Sequence, residues 1–125
     1  MKPFEFTLDR ERSLLRVKLC GFWDLPVMNE YEREYRTAFT QLNKLRPRPT
    51  YCLFDGSEYP VQSQSINRRH VALIEWLGPR QADRSALIVP NALVRLQVAR
   101  SVNDERTQTF TSESKAMKWL ACAPA

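Results

Sequence analysis

The sequence predicts an α/β domain built on a mostly parallel sheet with an N-terminal β-hairpin, in the order ββαβαβαβα. Two patterns carry that expectation. Short runs rich in β-branched and aromatic residues alternate with segments whose apolar residues recur at helical spacing. Pro, Gly or Asp punctuates most of the junctions between them, as at Asp24, Asp55-Gly56, Gly78-Pro79 and Pro90-Asn91. At 125 residues, with 43% hydrophobic and 26% charged content, the chain suits a single hydrophobic core. Residues 1–125 are therefore read as one domain, with no linker, repeat or low-complexity stretch.

Phe4-Glu5-Phe6-Thr7-Leu8 alternates cleanly, and after the charged turn Asp9 to Arg12 the run Leu14 to Leu19 places Leu15, Val17 and Leu19 on one face. This pair reads as a β-hairpin. Gly21-Phe22-Trp23-Asp24 then turns the chain, with Asp24 placed to cap a helix and Pro26 tolerated in its first turn. In that helix Val27, Tyr31, Tyr35, Ala38, Phe39, Leu42 and Leu45 form the apolar stripe, and Pro47 and Pro49 stop it. Thr50 to Phe54 is a short strand ending at the turn pair Asp55-Gly56. Ser63 or Ser65 caps the next helix, whose stripe is Ile66, His70, Leu73, Ile74 and Leu77, and Gly78-Pro79 ends it. Ala86 to Val89 is a further strand, followed through Pro90-Asn91 by a short helix with Leu93, Leu96 and Val98. Thr107 to Thr111 is the last strand, and Ser112 caps a closing helix with Ala116, Met117, Trp119 and Leu120.

Several function classes recede on composition. The net charge of +5 could point to nucleic acid, but the 19 Lys and Arg are scattered and often have acids beside them, as in Asp9-Arg10-Glu11-Arg12. Nucleic acid is not expected as a partner. The apolar stretch Ala86 to Val94 is interrupted by Pro90 and Asn91 and is far shorter than the roughly 20 residues of a membrane helix, so no span is expected. The charged N-terminus lacks the apolar core of a secretory signal, which makes the cytoplasm the expected location. Cys20, Cys52 and Cys122 match no zinc or redox spacing and read as core thiols.

The stretch Tyr51 to Leu77 holds the candidate chemistry, because a strand that delivers a loop to a helix start is where α/β proteins place ligands. Asp55, Ser57, Ser63 and Ser65 lie in it, and Asn91 and Arg95 open the next such junction. Parallel strands deliver all their following loops to one side, so these six residues are expected around one mouth at the carboxyl edge of the sheet. Each also has a plain structural role: turn chemistry for Asp55, capping for the serines and Asn91, and a surface cation for Arg95. The single histidine, His70, has no partner spacing for a triad or a zinc set and reads as a packed or surface residue. Trp23, Trp76 and Trp119 read as core or interface aromatics. With three glycines in the chain there is no phosphate-cradling loop, and neither a cofactor nor a metal is expected.

The order of elements, the strand-end Gly21-Phe22-Trp23, the loop Leu53 to Ser65 (LFDGSEYPVQSQS), the junction Ser85 to Arg95 (SALIVPNALVR) and the closing Thr109 to Leu120 (TFTSESKAMKWL) together resemble the STAS/SpoIIAA-like family of small bacterial α/β proteins. The resemblance spans nearly the whole chain. It implies a sheet and helices wound as a βα superhelix and a relation to antagonists of anti-sigma factors. Those proteins are switched by phosphorylation of a serine that follows an Asp-Ser pair and precedes a glycine, at the start of the helix after the third strand. Ser65 is the nearest match to that serine, while Ser63 stands in place of the acid, Gln64 in place of the first serine and Ile66 in place of the glycine. The expectation is a non-enzymatic regulatory or protein-interaction module without the phosphoserine switch, with a protein partner and room for a homodimer. The alternative is a small carrier or sensor for an apolar or lipid-like acidic ligand, since the fold is also related to lipid-binding SEC14-type domains.

Overall fold

Between Asp9 and Ser13 the chain reverses: the Asp9 carboxylate accepts from the Arg12 amide at 3.1 Å, and Ser13 takes a positive φ of 53°. The two strands on either side pair antiparallel, β1 (Phe4–Asp9) with β2 (Leu14–Cys20), in the register Leu8 to Leu15 and Phe4 to Leu19. The computed structural model describes residues 2–91 and 105–122. Within them follow α1 (Leu25–Asn43), β3 (Tyr51–Glu58), α2 (Gln64–Leu77), β4 (Arg84–Ile88), β5 (Thr107–Phe110) and α3 (Glu113–Ala121). The helix expected around Leu93, Leu96 and Val98, and Arg95 with it, lies outside the described residues.

The five strands form one sheet in the order β1-β2-β3-β4-β5, with every pair after the hairpin parallel. This is the mixed α/β sheet the alternation predicts. Its two faces differ because side chains alternate along each strand. One face carries Phe4, Phe6, Leu15, Val17, Cys52 and Phe54 and is covered by α1 and α2, whose Met28, Tyr31, Phe39, Leu42 and Leu73 are all but inaccessible to solvent. On the other face α3 packs Ala116 and Leu120 against Leu14, Leu53, Ala86 and Ile88. Asp24 caps α1 by accepting from Val27 N at 3.1 Å, Ser63 caps α2 from Ile66 N at 3.4 Å, and Ser112 caps α3 from Lys115 N at 3.4 Å.

Two sequence expectations are corrected. Asp55-Gly56 does not end a strand: β3 runs on to Glu58 through a bulge, since Lys18 faces Asp55 whereas Cys20 faces Glu58. The extra residue frees the Ser57 amide, and the Asp55 carboxylate accepts from it at 3.1 Å and from the Ser57 hydroxyl at 2.7 Å. Ile74, expected in the core, is 54% exposed. The buried stripe of α2 is Ile66, Leu73 and Leu77 with His70 half-buried, and at 100° per residue Ile74 sits roughly 70° round the helix from its centre. The helix leans instead toward α1, where Arg69 forms a two-pronged ion pair with Glu32 and Trp76 is half-buried beneath Arg36 and Arg80. Met28 is buried as completely as Phe39 and Leu42, while its neighbour Val27 is half-buried at the margin of the core.

Candidate functional site

Because β2, β3, β4 and β5 are parallel, the segments that follow them emerge at one edge of the sheet. Two of these segments are tied together. Gly21 N donates to Glu58 O at 3.1 Å, extending the β2–β3 ladder by one bond. Beyond it, the buried side chain of Gln62 bridges the loops: its Oε1 accepts from Trp23 N at 2.8 Å, and its Nε2 donates to Gly21 O at 3.0 Å and Pro60 O at 2.9 Å. An amide is the one side chain that offers an acceptor and a two-proton donor in this arrangement.

Trp23 is the floor of the edge. Its indole Nε1 donates to Cys20 O at 3.0 Å, and its ring packs against Phe4, Tyr31, Tyr59 and His70 with centroid separations of 4.8 to 5.8 Å. His70 Nε2 and the Tyr59 hydroxyl share a 2.7 Å hydrogen bond. Burial pushes the His70 pKa down to about 4, so the imidazole is neutral at physiological pH, and burial raises the Tyr59 and Tyr31 phenols. The histidine thus packs, as expected, and among the described residues no carboxylate hydrogen-bonds to it. Nor does any described group of three His, Cys, Asp or Glu side chains fit a metal ion. Burial raises the Cys52 thiol as well, while Cys20 donates to Lys2 O at 2.8 Å.

Above this floor three large apolar side chains stand in solvent: Phe22 at 70% exposure, Val61 at 74% and Leu25 at 52%. Phe22 and Val61 lie in the two loops that the Gln62 bridge ties together, and Leu25 is the first residue of α1, directly after the first of them. On α2, Gln64, Asn67, Arg68 and Val71 line an open groove of about 430 Å³.

Four of the six residues singled out in the sequence fall into two pairs. Asp55 and Ser57 are bonded to each other at the bulge, and Asp55 lines a cavity of about 190 Å³ with Glu5, Thr7, Arg16 and Lys18 on the face of the sheet away from α1 and α2. Ser63 and Ser65 lie at the start of α2 with their hydroxyls 3.2 Å apart, both exposed. Asn91 is exposed just beyond β4, and Arg95 falls outside the described residues. What the sequence reading passed over is Gln62 and the apolar rim. Phe22 and Val61 follow Gly21 and Pro60, so a large hydrophobe in a loop rather than in a periodic stripe was the available signal.

Among solved structures, an uncharacterised protein of the DUF3478 family with a SpoIIAA-like fold, from Shewanella loihica PV-4, shares this architecture. It superposes with a TM-score of 0.73 at 18% identity, over 96% of this chain and 95% of that one. The fold of this chain is therefore SpoIIAA-like. No family model and no curated protein matches the sequence.

Proposed function

We propose that this protein is a non-enzymatic, STAS-like interaction module whose partner is a protein seated on the rim of Phe22, Leu25 and Val61. The observation that carries the reading is a set of exposed large hydrophobes, Phe22 and Val61 on two loops fixed by a buried hydrogen-bonded glutamine and Leu25 at the helix start that follows one of them. Exposed hydrophobes scattered singly need no explanation, whereas several grouped on one edge are the kind of apolar surface that marks an interaction site. The side chains that could do acid–base or nucleophilic work support it too. His70 is neutral and packed among rings, Asp55 is spent on the bulge, and burial holds Cys52 as a thiol.

The carrier reading would place an apolar acid between helices and sheet. That layer is filled by Met28, Tyr31, Phe39, Cys52 and Leu73, each at most 1% exposed, which favours a surface partner over an internal ligand. At the α2 start, Ile66 is buried and Ser63 rather than Ser65 caps the helix, so a phosphate at Ser65 is not part of the proposed binding. Native mass spectrometry of protein purified from cells tests the proposal. A retained polypeptide is expected, lost in Phe22→Ser/Val61→Ser; a retained small acid in its place would favour the carrier.

A further inference from the structure

We infer that the outer edge of β1 is a self-pairing surface, on which a second copy of this chain adds its own β1 antiparallel in a single register centred on Phe6. Strand β1 ends the sheet, and its outward backbone groups follow from the hairpin. Cys20 N donates to Pro3 O at 2.9 Å, which makes Pro3 and Cys20 a hydrogen-bonded pair. Such pairs alternate along an antiparallel ladder, so Glu5, Thr7 and Asp9 turn their backbone groups to β2, and Phe4, Phe6 and Leu8 turn theirs outward. No described residue takes up these outward groups. Natural edges are often blunted by charged side chains, prolines or bulges; Phe4–Asp9 has no proline, lysine or bulge, and its two charged residues, Glu5 and Asp9, turn their backbone groups to β2.

A two-fold axis allows registers centred on Glu5, Phe6 or Thr7. Centring on Glu5 puts Glu5 directly opposite its copy, and centring on Thr7 puts Glu5 opposite Asp9 of the other chain; like charges opposed in this way destabilise a pair. Centring on Phe6 sets Glu5 opposite Thr7. It also pairs Phe6 with Phe6 and Phe4 with Leu8, so every outward N–H and C=O of Phe4, Phe6 and Leu8 finds a partner. Phe6 and Leu8 are half-buried at the margin of the main core, and the pairing would continue that core across the axis. The product is a closed C2 dimer with one sheet running through both copies.

The test is sedimentation equilibrium of the full chain with two substitutions at Thr7, an exposed position facing Arg16 in its own sheet. Thr7→Glu places a carboxylate opposite Glu5 twice per dimer, and the dissociation constant should rise about tenfold. Thr7→Lys places a cation there and should leave the dimer as strong or stronger. Unchanged melting temperatures of the two monomers separate these effects from misfolding. A parent that stays monomeric at concentrations on the order of 1 mM, a dimer indifferent to Thr7→Glu, or equal weakening by both variants would overturn the inference.

Discussion

Replacing Gln62 with leucine keeps the volume of a buried side chain and removes three hydrogen bonds, and the structure says which of the three matters. Gly21 and Pro60 are exposed, so water can reach the two carbonyls that lose Nε2. Trp23 is 2% exposed, and its amide loses its acceptor with nothing to replace it. A buried donor left unmet costs about 1–3 kcal/mol, so Gln62→Leu should lose about 2 kcal/mol of stability. Equilibrium urea unfolding followed by tryptophan fluorescence reads this directly, and with a slope of about 2 kcal/mol/M the midpoint should fall by about 1 M. Gln62→Glu sharpens the reasoning. Its carboxylate can still accept from Trp23 N but sets oxygens against Gly21 O and Pro60 O, so the variant should be weak at neutral pH and recover as protonation restores a donor. A loss below about 0.5 kcal/mol in Gln62→Leu, the range of an ordinary surface change, would refute the claim that this side chain fixes the two loops.

His70 should make the fold acid-sensitive before its carboxylates do. Its folded pKa of about 4 lies below the unfolded value of 6.5, so the unfolded state takes up the proton first and stability falls as pH drops from about 6.5 toward 4. Between about pH 7.5 and about pH 5 the parent should lose up to about 2 kcal/mol, and His70→Phe should flatten that slope in pH-dependent unfolding. At the start of α2, Ser63→Ala should cost about 1 kcal/mol through the lost cap, while Ser65→Ala should stay within about 0.5 kcal/mol and keep partner binding. Equal costs in thermal unfolding would contradict that assignment. Gly56→Ala should lose about 1–3 kcal/mol, because a Cβ there would meet the backbone oxygen of Ile88 at 3.0 Å and strands β3 and β4 must part to admit it; an unaffected midpoint would show that the strands yield freely.

Periodicity made the five strands and the three described helices legible, and composition marked the caps Asp24 and Ser112. For α2 it left Ser63 or Ser65 as the cap, and the structure selects Ser63. Local pattern failed where tertiary context decides. Asp55-Gly56 has the composition of a turn, yet β2 keeps pairing beyond it, Cys20 with Glu58, and carries the strand through as a bulge after the β4 ladder has ended at Asp55. Ile74 belongs to the apolar arc of α2, but the Arg69–Glu32 ion pair and Trp76 mark the side on which that helix meets α1. The site was harder still. Loop serines advertise capping as readily as binding, whereas the residue that organises the edge is a glutamine whose three partners lie at sequence distances of 2, 39 and 41. No spacing rule reaches that far.

Site-specific photo-crosslinking in the native host addresses the interaction rim itself. A benzophenone side chain placed at Phe22 or at Val61 should yield a discrete heterologous polypeptide adduct, identical from both positions, and none from Arg33, an exposed position on α1. No adduct from either Phe22 or Val61, or adducts from Arg33 as abundant as those from the two rim positions, would contradict the proposal that a protein partner sits on this edge.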